Sequence, residues 1–112
     1  MINGAHTVIF SKDPQTDRAF LRDVCKFPFV DAGEGWLIFS LPPTEIAIHP
    51  GNENNKHEIY FTCDDINQFS TQMTEHNIDS SPVQDVGWGL LIYITLPGGG
   101  KLGVYQPKHK RP

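Results

Sequence analysis

Residues 58–66 read Glu-Ile-Tyr-Phe-Thr-Cys-Asp-Asp-Ile, an alternating strand pattern that leads directly into a helix cap. Every second side chain of this stretch is apolar, namely Ile59, Phe61 and Cys63, which predicts a strand with one face against a core. The pair Asp64-Asp65 is suited to capping a helix, and apolar side chains then recur at helical spacing at Ile66, Phe69 and Met73. The stretch therefore predicts a strand followed by a helix that ends near residues 76–77.

The same order of elements occurs earlier in the chain. Residues 5–11 alternate between two faces, and Asp13-Pro14 then opens a predicted helix that runs to about Cys25. Three short strands follow the helix in each half, at 29–32, 36–41 and 44–49 in the first half and at 82–86, 90–96 and 101–106 in the second. Each half thus reads β-α-β-β-β. Because one such unit has too small a core to be stable alone, two units are expected to pack together.

Composition limits the range of functions. The 112 residues fit one domain, 1–112, with the first unit at about 4–50 and the second at about 57–107. A formal net charge of −4, with no basic run before the last five residues, argues against a nucleic-acid partner. The longest apolar stretches are far shorter than the roughly 20 residues of a membrane-spanning helix, so no membrane partner is expected. Two cysteines cannot supply a disulfide framework, which favours a reducing, cytoplasmic setting.

The openings of the two units, residues 6–13 and 58–66, resemble those of the vicinal oxygen chelate superfamily. That superfamily includes glyoxalase I, extradiol dioxygenases, and fosfomycin and bleomycin resistance proteins. The resemblance spans residues 3–107 and implies an α+β fold in which two βαβββ units form a curved mixed sheet around a cleft, with the helices outside. It also implies a small-molecule ligand or substrate and a homodimer.

The resemblance implies a divalent metal held by one inward residue from each of the first, fourth, fifth and eighth strands. His6 matches the first position. On the fourth strand, Ile46 and Ile48 are expected to pack against a helix, which places Glu45 and His49 in the cleft. Glu45 matches the family glutamate best, and His49 is an alternate ligand.

The last two ligand positions are less regular. On the fifth strand, the resemblance favours His57 as the ligand. The alternation of the strand instead turns Glu58 inward, so a bulge at the start of the strand would be needed to bring His57 into the cleft. On the eighth strand, Gly103 stands where the family has a glutamate. A bound Fe, Mn, Ni or Zn would therefore have three protein ligands, completed by water, substrate or His49.

Two functions from different classes follow from this reading. The first is a metal-dependent dioxygenase or lyase, in which the metal holds a substrate through two adjacent oxygens and acts as a Lewis acid. The alternative is a metal-free protein that sequesters a small molecule in the same cleft, which the glycine at position 103, the acidic charge and the aromatic residues favour. The predicted substrate-binding residues are Tyr60, Tyr105 and Trp88.

Overall fold

The computed structural model describes residues 6–45, 47–50 and 52–112. Its elements, in chain order, are α1 (Pro14–Asp23), β1 (Phe29–Asp31), β2 (Leu37–Phe39), β3 (Tyr60–Thr62), α2 (Ile66–Glu75), β4 (Gln84–Asp85), β5 (Gly89–Thr95) and β6 (Lys101–Pro107). β1 and β2 form an antiparallel hairpin. The other strands form a mixed sheet in the order β3-β6-β5-β4, in which β3 runs parallel to β6. Within the described ranges, every helix is too short or too polar to cross a membrane.

Both helices begin at an aspartate cap, as the sequence predicts. The Asp13 carboxylate accepts a hydrogen bond of 3.3 Å from the backbone N–H of Thr16 at the start of α1. At the start of α2, the Asp65 carboxylate accepts bonds of 3.1 Å from the N–H groups of Asn67 and Gln68. These bonds satisfy N–H groups that have no partner within the first turn of a helix. α1 ends two residues before the predicted Cys25, and α2 ends close to its predicted limit.

The core lies between the four-stranded sheet and both helices. Its buried members are Phe20, Ile66, Met73, Ile92, Ile94, Leu96, Leu102 and Val104. The predicted alternation along β3 is confirmed, because Ile59, Phe61 and Cys63 all pack against this core. Cys25 lies at the edge of the core, and burial raises the pKa of its thiol to about 11. Helix α1 therefore belongs to the same core as the second unit.

A buried carboxylate joins α1 to the turn between β5 and β6. The Oδ1 atom of Asp17 accepts a hydrogen bond of 2.7 Å from the backbone N–H of Gly98, which lies 81 positions further along the chain. The approach is close: a Cβ atom at Gly98 would lie 2.7 Å from the Ser11 hydroxyl oxygen and 2.8 Å from Asp17 Oδ2. Glycine at this turn thus allows the first helix to contact the second unit directly.

We expect Asp17→Ala to lower the free energy of unfolding by about 1–3 kcal/mol, because the Gly98 N–H would lose a charged acceptor. Among the described residues, Asp17 Oδ2 is buried without a hydrogen-bond partner, which costs free energy in the folded protein. This cost offsets part of the stabilisation that the bond from Oδ1 to Gly98 provides. Unfolding in urea measures the change. The matched control is Asp23→Ala on the same helix, where an exposed carboxylate pairs with Arg22 and its loss should matter little. Equal effects of the two substitutions would contradict the expectation.

The first unit departs from the sequence prediction in two strands. Within the described residues, the strand predicted at 5–11 is absent from 6–11, and the strand predicted at 44–49 is absent from 44–45 and 47–49; residue 5 and Ile46 lie outside the description. The prediction that Ile48 packs against a helix is also wrong, because its side chain is 90% exposed. By analogy with the parallel pair β3 and β6, these two strands would be each other's neighbours. In the described residues neither segment has a neighbouring strand, so neither forms the hydrogen bonds of a sheet. Helix α1 packs on the four-stranded sheet and therefore does not bury a face of these segments.

Candidate functional site

One face of the four-stranded sheet points away from the helices and carries aromatic side chains. In the register of the sheet, Gly103 on β6 lies between Tyr60 on β3 and Tyr93 on β5. Two residues further along β6, Tyr105 lies beside Thr62 on the same face, since side chains on one face of a strand recur at every second position. Because the residues on either side of Tyr60 face the core, Tyr60 lies on the opposite face of the sheet, and Tyr105 lies on that same open face.

Three rings form what is here called the aromatic cluster: Tyr60, Trp88 and Tyr105. The ring centroids of Tyr60 and Tyr105 are 5.9 Å apart, as are those of Tyr60 and Trp88, and those of Trp88 and Tyr105 are 4.9 Å apart. All three pairs meet edge to face, with interplanar angles of 74–88°. Trp88 is 42% exposed and the two tyrosines are half-buried, so the rings form a surface open to a ligand. The structure thus brings together the three residues predicted to bind substrate.

Gly103 provides the space in which the Tyr60 ring lies. A Cβ atom at this position would overlap the Cδ1 atom of Tyr60 and lie 2.6 Å from its Cε1 atom and 3.3 Å from Cε1 of Tyr93. Real Cβ atoms do not approach a ring this closely. Any side chain at position 103, including the glutamate that the resemblance places there, would therefore have to displace the Tyr60 ring.

The phenol groups of the aromatic cluster remain protonated. The Tyr60 hydroxyl donates a hydrogen bond of 3.3 Å to Oε2 of Glu58. The neighbouring Tyr93 side chain, burial and the negative charge of Glu58 together raise the pKa of Tyr60 above its ordinary value. Burial, and the negative charge of Glu45, raise the pKa of Tyr105. The single O–H of Tyr60 is used by Glu58, so the Tyr60 oxygen can act towards a ligand as an acceptor, while the Tyr105 hydroxyl is held by His109.

The raised pKa of Tyr60 predicts a delayed alkaline titration. A raised folded-state pKa stabilises the fold fully below the unfolded value of about 10, and this stabilisation is lost as the pH rises towards the folded value. Subtracting the tyrosinate absorbance of Tyr60→Phe from that of the wild-type protein isolates the titration of Tyr60. In the native protein this titration should occur well above about pH 10. In urea-unfolded protein the same difference should appear at the ordinary value. If Tyr60 titrated at its ordinary pKa in the native protein as well, its surroundings in the fold would not be stabilising the protonated phenol.

Charged residues from distant parts of the chain meet at the edge of the aromatic cluster. Nε of Arg111 donates a bond of 2.6 Å to Oε1 of Glu45, 66 positions earlier in the chain. Nε2 of His109 lies 3.1 Å from the Tyr105 hydroxyl. Sequence reasoning missed the roles of His109 and Arg111, because neither lies in a periodic element. No sequence signal marks a contact between two exposed residues so far apart.

The residues predicted as metal ligands do not assemble into a metal centre in the described ranges. The three histidines His6, His49 and His57 are exposed. Glu45 pairs with Arg111, and Glu58 accepts from Tyr60, so the two glutamates already have partners. Among the described residues, no group of three or more His, Cys, Asp or Glu side chains is close enough to hold a metal ion. With an aromatic ring over position 103, this donor set does not fit a divalent metal.

Several solved structures share this fold. A lactoylglutathione lyase from Agrobacterium tumefaciens matches with a TM-score of 0.68 and 18% identity, over 93% of this chain and 92% of that chain. TnmS3, an antibiotic binding protein from Streptomyces sp. CB03234, matches with a TM-score of 0.65 and 16% identity, over 96% of this chain and 100% of that chain. FosX, a fosfomycin resistance protein from Listeria monocytogenes, matches with a TM-score of 0.62 and 16% identity, over 96% of both chains.

These likenesses confirm the fold predicted from the sequence. The chain shares the α+β fold of these three proteins, and the match extends over almost the whole of each solved chain. No protein-family model and no curated protein matches the sequence. Since the identities are all below 20%, the comparisons establish the architecture and leave the activity to be argued from the site.

Proposed function

We propose that this protein binds a small planar molecule on the aromatic cluster without the help of a metal ion. The observation that carries the proposal is the ring of Tyr60 lying across Gly103. The resemblance implies a metal-binding glutamate at this position, and here the ring of Tyr60 occupies the space that its side chain would need. Partly exposed rings in near-perpendicular contact offer faces and edges on which a planar ligand can stack.

The polar groups around the aromatic cluster fit a binding site. Binding sites for small molecules combine apolar and aromatic surface with a few polar groups that orient the ligand. Here the hydroxyl groups of Tyr60 and Tyr105 lie at the rim of the rings, where Glu58 and His109 fix their positions, and their oxygens can orient a polar group of the ligand. One of the solved neighbours, TnmS3, is named an antibiotic binding protein, which supports binding as a use of this fold.

Fluorescence titration of Trp88 tests the proposal. The chain has two tryptophans, and Trp36 lies away from the aromatic cluster beneath Arg18, so Trp36→Phe leaves Trp88 as the reporter. We expect planar aromatic compounds to quench Trp88 equally with and without a chelator. Tyr105→Leu should weaken binding by at least about tenfold, because it removes one stacking ring. Phe10→Leu, at a fully exposed ring outside the aromatic cluster, is the matched control.

The same titration decides between the two functions predicted from the sequence. Metal-dependent dioxygenase or lyase activity stays a prediction that needs His6, Glu45 and either His57 or Glu58 around Fe, Mn, Ni or Zn. Ligand binding that appears only after one of these metals is added, together with stoichiometric metal in the purified protein, would overturn the metal-free proposal. The cytoplasmic location predicted from the composition also stays a prediction.

We also propose that the protein functions as a homodimer. Large apolar side chains are exposed mainly in the first half of the chain, at Val8, Ile9, Phe10, Phe29, Val30, Trp36, Ile38 and Ile48. Val30 and Ile38 are cross-strand neighbours in the β1–β2 hairpin, and adjacent exposed apolar side chains suit a face that binds another protein. Sedimentation at micromolar concentration should give the mass of a dimer, and Val30→Asp in the hairpin should shift it towards the monomer. A wild-type protein that sediments as a monomer would contradict this.

A further inference from the structure

We propose that the ligand of the aromatic cluster is a planar aromatic anion whose negative group is bound by the guanidinium group of Arg111. This inference rests on the proposed function, and it adds the chemical class of the ligand. It follows from the charged residues that meet beside Tyr105.

Arg111 has donors to spare at the edge of the rings. Its side chain is 42% exposed, and Glu45 is its one side-chain partner among the described residues, through Nε alone. A guanidinium group carries five N–H donors in a planar fork that matches the two oxygens of a carboxylate. The bond to Glu45 therefore holds the side chain in place and leaves other donors of the fork for a ligand.

His109 connects the rings to a small cavity. Its ring packs against Tyr105, with 5.8 Å between the centroids, and its Nε2 atom lies 3.1 Å from the tyrosine hydroxyl. The cavity has a volume of about 220 Å³ and is lined by Cys63, Asp64, Gln106, Pro107, His109 and Arg111. Asp64 is the one acidic side chain in this lining and is exposed to water, and Arg111 is the one guanidinium group. The ring nitrogens of His109 lie 3.1 Å from the Tyr105 hydroxyl and 3.1 Å from the Lys110 carbonyl oxygen, so His109 positions Tyr105 beside Arg111. An anionic group of a ligand that stacks on Tyr105 would thus lie near the guanidinium of Arg111.

A cationic ligand fits the same surroundings less well. The two carboxylates beside the aromatic cluster already have partners: Glu45 accepts from Arg111, and Glu58 accepts from Tyr60 and lies 3.9 Å from Nζ of Lys56. A cation that binds Glu45 or Glu58 would have to displace the partner of that carboxylate, whereas an anion can bind the N–H donors of Arg111 that its bond to Glu45 leaves free.

Three probes that share one ring system test the sign of the ligand charge. Naphthoate, naphthamide and naphthylmethylammonium differ only in an anionic, neutral or cationic group, and each is titrated against the Trp36→Phe protein. We expect naphthoate to bind at least about tenfold more tightly than the other two. Arg111→Gln should remove this preference, so that naphthoate binds no more tightly than naphthamide. Lys110→Gln, which removes an exposed charge on the same segment, should keep the preference and is the matched control.

Each outcome separates this inference from the proposed function. If none of the probes binds, the proposed function itself fails. If all three bind equally, or if Arg111→Gln leaves the preference for naphthoate intact, the rings bind ligands but the inference about charge is overturned. Tightest binding of naphthylmethylammonium would also overturn it. Glu45→Gln gives a further check, because release of the guanidinium from its partner should preserve or strengthen naphthoate binding.

Discussion

Gly103→Ala is expected to destabilise the protein by about 1–3 kcal/mol, the range found when extra atoms are forced into a packed site. It should also weaken ligand binding on the aromatic cluster by at least about tenfold. The new methyl group would overlap the Tyr60 ring and crowd Tyr93, and the backbone of β6 is held between two strands, so the ring must move. Urea unfolding and the quenching of Trp88 measure the two effects separately.

A glycine in open space provides the control for this substitution. Gly100 follows the turn before β6, and a Cβ atom there would meet nothing within 4 Å, so Gly100→Ala should leave stability and binding unchanged. Removing the ring should relieve the clash. The double variant Gly103→Ala, Tyr60→Ala should therefore be more stable than the sum of its single substitutions predicts. Additive effects would show that the ring of Tyr60 does not occupy the space above position 103.

Ile92→Ala should have the largest effect on stability, about 2–5 kcal/mol. Ile92 is 0% exposed in the middle of β5, where the sheet faces both helices, and its truncation would leave a cavity that neighbouring side chains cannot fill. The midpoint of urea unfolding reports this loss. Because domains of this size are only marginally stable, the variant should unfold at a urea concentration well below the wild-type midpoint.

An isoleucine of the first half is the matched control for Ile92. Ile48→Ala should change the stability of the monomer by less than about 0.5 kcal/mol, as for other exposed positions. If Ile48→Ala instead lowers the free energy of unfolding as much as Ile92→Ala at low protein concentration, then Ile48 must be buried in the monomer, contrary to its exposure in the structure. A cost that grows with protein concentration would indicate that a second copy covers this side chain.

The second unit could be predicted from the sequence because its signals are local. The alternation of Ile59, Phe61 and Cys63 sets the two faces of β3, and Asp65 marks the start of α2. Two of the three rings of the aromatic cluster follow from the same alternation, since Tyr60 and the opposite residues of β6 must share a face. Trp88 lies in a short turn between β4 and β5, and the direction of its ring depends on packing that no local pattern contains.

The first unit shows the limit of such signals. Residues 6–11 have the composition of a strand, but a strand needs a neighbour, and the local sequence does not show whether one is available. The ion pair between Glu45 and Arg111 cannot be predicted from the sequence for a similar reason, because it depends on the relative position of two segments that are far apart in the chain. The metal ligands inferred from the family resemblance stay predictions, and metal analysis of the purified protein would test them.

The bond between Asp17 and Gly98 has a consequence for the order in which the chain folds during synthesis. Helix α1 leaves the ribosome before the turn that receives its carboxylate, which lies 81 positions later, and before the strands that cover Phe20. Until then its apolar face has no native surface to cover, and the parallel pair β3 and β6 must also wait for distant residues. Nascent chains of this protein should therefore present an unpaired helix to chaperones until translation has passed β6.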